Sequence, residues 1–274
     1  MTRGVRRGVR RGVGPSVSTA LRAHAKLTLS LRLTGLRDDG FHLIDAEMVS
    51  LDLHDLVTIS PTATTTELAA TGPYAAGIPL DRTNLVARAL ELCGTSATVT
   101  IHKQIPHGGG LGGGSSNAAT VMRWCGMGTD GRTLDAASAL GADIPFCLVG
   151  GRARVRGIGE IVDPLPHVDR HITLVIPPLA VSTPAAYRAW DDLGGPTADG
   201  PNDLEPAALV VEPRLGRWRD MIAERIGEPP VLAGSGATWF TEGEHHDALA
   251  DLVDEGASVV SARTVPADVA TNES

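Results

Sequence analysis

In AKLTLSLRLTG (25–35), Leu27, Leu29, Leu31 and Leu33 fall at every second position. A period of two predicts a half-buried strand with those leucines on one face. Asp39-Gly40 in LRDDGFH (36–42) predicts a hairpin turn, and AEMVSLDLHDLVTIS (46–60) resumes strand character. TATTTELAATG predicts another short strand. Residues 81–94 then carry Leu85, Val86, Ala89, Leu90 and Leu92 as a broad apolar helical face that Gly94 ends. ATVTIHKQI (97–105) reads as a strand. SSNAATVMRWC, from Ser115, predicts a helix, and TLDAASALG a second short one ending at GADIPF.

The second half repeats the mixture. GGRARVRGIGEIVDPLP (150–166) predicts a hairpin-like strand pair, and HITLVIPP (171–178) a buried strand. STPAAYRAWDDLGG opens on a Ser/Thr cap and reads as helix, as do NDLEPAALVVEP and LGRWRDMIAERIG. PPVLAGSGATWFTEG predicts strand, glycine turn, strand. HHDALADLVDEG predicts a helix and SVVSARTVP a last strand. Interleaved helices and strands in two segments predict an α+β protein. The junction is expected near DPLPHVD (163–169), dividing 21–165 from 166–274.

Composition narrows the class. The chain has 274 residues, 42% of them hydrophobic but only 3% aromatic, so the core is expected to be aliphatic. No apolar run approaches the roughly 20 residues that span a bilayer. The formal net charge is −8. Residues 1–20 hold Arg3, Arg6, Arg7, Arg10 and Arg11 and no acid, so without those five arginines the remainder carries −13. That body argues against nucleic-acid binding, and the Arg-rich segment is expected to be a disordered extension. Cys93, Cys125 and Cys147 are isolated, with no CxxC, as in a cytoplasmic enzyme. No metal-ligating set is read: His245 and His246 are adjacent and diverge on a helix.

The densest chemistry lies in IPHGGGLGGGSSNAAT (105–120). Strand, glycines and helix follow one another directly, so bare backbone N–H groups and a helix N-terminus form an anion site. Ser115 and Ser116 are candidates to hold a phosphate oxygen or Mg2+. No lysine follows the glycines, which excludes a P-loop. Gly108, Gly110 and Gly113 satisfy G-x-G-x-x-G, yet WCGMGTDGRTLD is no second strand, which disfavours a nicotinamide-dependent oxidoreductase.

This loop resembles the phosphate loop of the GHMP kinase superfamily. AHAKLTLSLRLTGLRDDGFHLIDAEMVSLDL, LGADIPFCLVGGRARVRGIGE and LAGSGATWF are similar, in order, to the other motifs of the 4-diphosphocytidyl-2-C-methyl-D-erythritol kinases, from about residue 23 to about 265. The resemblance implies a two-domain GHMP kinase fold: an N-terminal mixed α/β domain that binds ATP, and a C-terminal ferredoxin-like domain. Asp143 would be the catalytic base and Lys26 its neighbour. Asn84 and Lys103 would lie near adenine and its ribose. The nucleotide phosphates would lie over Gly108, Gly109, Gly110, Gly112, Gly113 and Gly114. Phe41 and Tyr187 would flank a cytosine that His42 reads, and Thr28 stands where the family commonly has Asn. The stretch between Asn117 and Asp143 is shorter than usual, so a truncated helix with a tight loop is expected. The implied reaction phosphorylates the 2-hydroxyl of a cytidine diphosphate-linked methylerythritol with ATP and Mg2+, by a cytoplasmic monomer or weak dimer that uses neither membrane nor nucleic acid. A homoserine- or mevalonate-type kinase is the alternative.

Overall fold

The computed structural model describes residues 18–267; residues 1–17 of the Arg-rich extension lie outside the described residues. Strand β1 (Thr19–Leu36) already includes Thr19 and Ala20, which the sequence assigned to the extension. It runs antiparallel to β2 (His42–Thr62) across the Asp39-Gly40 turn, where Gly40 has φ +86°. The alternating leucines Leu27, Leu29, Leu31 and Leu33 do not share one face. An irregularity between Thr28 and Ser30 places an extra residue in β1, and such a bulge reverses the side to which the following residues point. Leu27 and Leu29 therefore join the apolar cluster that contains Leu174 and Phe240, while Leu31 and Leu33 join the one that contains Phe146 and Val155.

The first sheet is built around β2. Its later half pairs with β4 (Ser96–His102) and its earlier half with β5 (Arg152–Gly157). Strand β3 (Glu67–Thr71) lies parallel to β4, and β6 (Ile161–Leu165) completes the hairpin with β5. Helices α1 (Leu85–Leu92), α2 (Gly113–Trp124), α3 (Gly131–Ser138) and α4 (Ile144–Val149) supply the apolar side chains that cover this sheet. α1 is shorter than predicted because Asp81 takes the Thr83 N–H in a turn and Asn84 caps the helix. α2 ends at Trp124, before the tight loop that the shortened sequence predicts. α4 was not predicted, because six apolar residues carry no readable period.

The second half runs β7 (His171–Ile176), α5 (Thr183–Asp192), α6 (Glu205–Val211), α7 (Arg214–Ile226), β8 (Val231–Leu232), β9 (Trp239–Glu242), α8 (His246–Leu249) and β10 (Ser258–Val265). The helix predicted over 245–256 divides into one-turn α8 and a 3-10 turn, Ala250–Val253. The strands lie in the order β10-β7-β9-β8, all antiparallel. Read in chain order, this is the β-α-β-β-α-β arrangement of a ferredoxin-like fold. The end of β10 also pairs with β2, Thr264 opposite Leu51 and Val265 opposite Ser50, which ties the two sheets together. A separate apolar cluster fills the space between them, with Leu27, Leu51, Ile105, Leu111, Leu174 and Phe240 among its members.

Candidate active site

The register irregularities of β1 place Lys26 and Thr28 on a face opposite Leu27. Lys26 is 6% exposed, its backbone N–H donates to Leu111 O at 3.0 Å, and its Nζ donates to Thr28 Oγ1 at 3.2 Å. Its ammonium also lies 3.4 Å from Asp143 Oδ2. Asp143 occupies the N-cap position of α4, where an aspartate ordinarily accepts a first-turn N–H, but its side chain makes no capping bond. The carboxylate is aimed at Lys26 instead.

The glycine loop leaves β4 and enters α2 as expected. Gly112 is the N-cap residue of α2, in the left-handed region at φ +67°, and has no side chain with which to cap it. The first N–H groups of α2 are thus unsatisfied by any side-chain cap, which is the donor set an anion needs. A Cβ on Gly112 would stand 2.6 Å from Lys26 Cγ, so the loop seats the lysine. Gly110 needs its missing side chain too: a Cβ there would meet Ala233 O at 2.8 Å. The loop is therefore stacked on the glycine turn of LAGSGATWF. Gly109 lies on Thr238 of the same segment, and Gly113 on Lys103 and Ile105. Gly108 is exposed at the mouth of the loop and Gly114 on the first turn of α2. Ser115 lines the cleft, whereas Ser116 is buried on the far side of the helix and does not.

Two residues expected near the nucleotide make bonds within the protein. Lys103 is 3% exposed, pairs with Asp55 and donates to Asn117 Oδ1 at 3.2 Å. Asp55, fully buried, also accepts the Gln104 and Ile105 N–H groups at 2.7 and 2.9 Å and the Asn117 amide at 2.9 Å. This is an anchor beneath the loop, in which Lys103 holds the entry of the loop. The amide of Asn84 is likewise committed, accepting from Val86 N and donating to Pro79 O at 2.7 Å. Sequence reading missed Asp55, one of four acids in β2 with Asp45, Glu47 and Asp52, and nothing in the pattern marks which of them is buried.

Lys26, Thr28, Gly110, Ser115 and Asp143 open onto a cleft of about 580 Å³ that also takes in Phe41, His42 and Tyr187. Phe41 is 57% exposed, so it serves no core. His42 Nε2 bonds Asp191 Oδ1 at 2.8 Å, and its ring packs on Tyr187 at 4.8 Å and edge-on to Trp190 at 5.6 Å. Burial, with the charge of Asp143, pushes the Tyr187 phenol up to about 12, so it stays a neutral wall of the cleft. Asp191 and Trp190 were not singled out in the sequence. Nor was Asn202, whose buried amide donates to Leu232 O at 2.8 Å and Gly234 O at 2.7 Å, holding the glycine turn that abuts Lys26 and Thr28.

A carboxylate beside an ammonium, next to a row of free N–H donors, can take a proton from a hydroxyl while a phosphoryl group transfers to it. The comparisons agree. The family described as GHMP kinases N terminal domain matches residues 82–151. A 4-diphosphocytidyl-2-C-methyl-D-erythritol kinase of Paracoccus denitrificans is 37% identical over 80% of this chain and 84% of its own length. One from Cereibacter sphaeroides is 38% identical over 80% of this chain and 87% of its own length. A crystal structure of 4-(cytidine 5'-diphospho)-2C-methyl-D-erythritol kinase, 29% identical, aligns with a TM-score of 0.71 over 90% of this chain and 99% of that one. A homoserine kinase from Cytophaga hutchinsonii, 15% identical with a TM-score of 0.62 over 95% of this chain and 98% of its own, shares the fold. Motifs, fold and relatedness converge, and the chain belongs to the 4-diphosphocytidyl-2-C-methyl-D-erythritol kinase family of the GHMP kinases.

Proposed function

We infer that this enzyme transfers the γ-phosphoryl group of ATP to the 2-hydroxyl of 4-diphosphocytidyl-2-C-methyl-D-erythritol, a step in the non-mevalonate route to isoprenoid precursors. The observation that carries the reading is one cleft holding both the Asp143–Lys26 pair and the Phe41–His42–Tyr187 group. The 2-hydroxyl attacks the γ-phosphorus and its proton passes to the Asp143 carboxylate. The bond from phosphorus to the bridging oxygen of ADP breaks. Lys26 steadies Asp143 and the charge on the transferring oxygens, while the N–H groups of α2 and the glycine loop hold the phosphates.

Among the described residues no group of three or more His, Cys, Asp or Glu side chains could cage a metal ion. The Ser115 hydroxyl, on the cleft at the first turn of α2, fits Mg2+ that arrives with the nucleotide and keeps water ligands. Bound there, the ion would neutralise phosphate charge. No helix among the described residues is long and apolar enough to cross a membrane. The test is ATP turnover with a panel of alcohols: the cytidine-bearing acceptor, homoserine and mevalonate. Phosphorylation of the first alone supports the reading, and preference for either of the others overturns it.

A further inference from the structure

We propose that Asp191 is a positioning residue that fixes the tautomer of His42 and so makes the acceptor pocket select cytosine over uracil; the proposal rests on the acceptor reading above. His42 opens β2 and Asp191 lies in the last turn of α5, 149 positions away, yet the two are joined at 2.8 Å through Nε2 and Oδ1. A carboxylate accepts hydrogen bonds and has none to give, so Nε2 is the nitrogen that carries the hydrogen. The imidazole has little freedom to turn over and exchange its nitrogens. Its side chain is 11% exposed, with the Tyr187 ring on one side and the edge of Trp190 against it. Trp190 is itself pinned, its Nε1 donating to Pro196 O at 2.9 Å.

The other nitrogen has no hydrogen-bond partner among the described residues, on a side chain that lines the cleft. In the neutral ring with hydrogen on Nε2, Nδ1 is a pure acceptor. Cytosine and uracil differ along one edge: at C4 cytosine presents an amino donor and uracil a carbonyl acceptor, and at N3 cytosine presents a lone pair and uracil an N–H. An acceptor held opposite the C4 substituent is satisfied by the cytosine amino group and faces a second lone pair in the uracil carbonyl. Leaving such groups unpaired is how a polar site rejects a close analogue. With the opposite tautomer, Nδ1 would donate and the preference would reverse. Asp191 touches neither base in this scheme; it acts through His42. The competing account is that the pair merely pins the β1–β2 hairpin to α5.

The experiment compares kcat/KM for 4-diphosphocytidyl-2-C-methyl-D-erythritol and its uridine analogue in the wild type and Asp191→Ala, at about pH 8, above the ordinary range of imidazole titration. Nitrogen-15 NMR of the His42 ring is recorded on both proteins without substrate. The wild type is expected to prefer the cytidine acceptor and to show hydrogen on Nε2. Asp191→Ala is expected to lose about tenfold in that preference, roughly the worth of one hydrogen bond. The loss falls on KM for the cytidine acceptor more than on kcat, and the ring becomes a mixture of tautomers. An unchanged preference in Asp191→Ala, or hydrogen on Nδ1 in the wild type, overturns the proposal. So does equal use of both acceptors by the wild type, which leaves the acceptor reading standing. If the wild type phosphorylates neither, the acceptor reading fails, and the base-selecting role fails with it.

Discussion

The Asp143 carboxylate stands 3.4 Å from the Lys26 ammonium and caps nothing, although it sits at the N-cap of α4. A helix start therefore serves to present a carboxylate to a lysine from the first strand. The lysine is buried among Thr28, the glycine loop and that carboxylate.

Asp143→Asn keeps the shape and removes the proton acceptor. A positioned base contributes about 10²–10⁴-fold, so kcat is expected to fall by that order with ATP binding retained. Lys26→Ala is expected to lose a comparable amount. In steady-state kinetics the double mutant should be scarcely worse than either single one, because residues acting as a unit are not additive. Multiplying losses would show separate roles.

Gly112→Ala tests the seat of that lysine. The new Cβ would lie 2.6 Å from Lys26 Cγ, at a φ of +67° that alanine rarely adopts. Displacing a catalytic group by about 1 Å can cost roughly 10²-fold, and a fall in kcat of that order is expected with an unchanged circular-dichroism spectrum. Wild-type turnover would mean that Lys26 can move aside without penalty.

Phe41 is exposed on the cleft, so Phe41→Ala should leave the melting temperature within a few degrees of wild type. The loss should appear in KM for the cytidine-bearing acceptor, since stacking on one aromatic is worth about 1–3 kcal/mol per base. Equal destabilisation and no change in KM would make the ring structural.

The buried Asp55–Lys103–Asn117 group predicts a stability effect rather than a nucleotide effect. Removing one partner of a buried pair typically costs about 3–5 kcal/mol, because the other charge is left uncompensated. Urea unfolding of Asp55→Ala should show a loss of this order. Asp55→Ala is expected to lose more than Lys103→Met, since Asp55 also accepts two backbone N–H groups at the entry of the loop. A Lys103→Met enzyme of full stability with a raised KM for ATP would return Lys103 to the nucleotide site.

Local pattern carried much of this protein. A period of two wrote β1 and β2, a helical stripe wrote α1, and the run of glycines between strand and helix marked the N-terminus of α2. Each is legible because a single element decides which side of itself is apolar, or where its backbone must pass without a side chain. The motifs around Lys26, Asp143, Phe41 and His42 named the residues of one cleft. Tertiary structure decided which partners they meet. The extra residue in β1 turned Leu31 and Leu33 away from Leu27 and Leu29, a change of face that no period-two reading contains. Lys103 stands in the sequence only as a lysine ahead of the glycines, and the fold buries it against Asp55. Asp191 and Asn202 looked like ordinary polar residues near helices, yet one bonds His42 and the other holds the turn beside Lys26. The physical reason is range: periodicity is set by neighbours one turn or one pleat away, whereas a hydrogen bond across 149 positions exists only after strand register and helix packing have brought its two ends together.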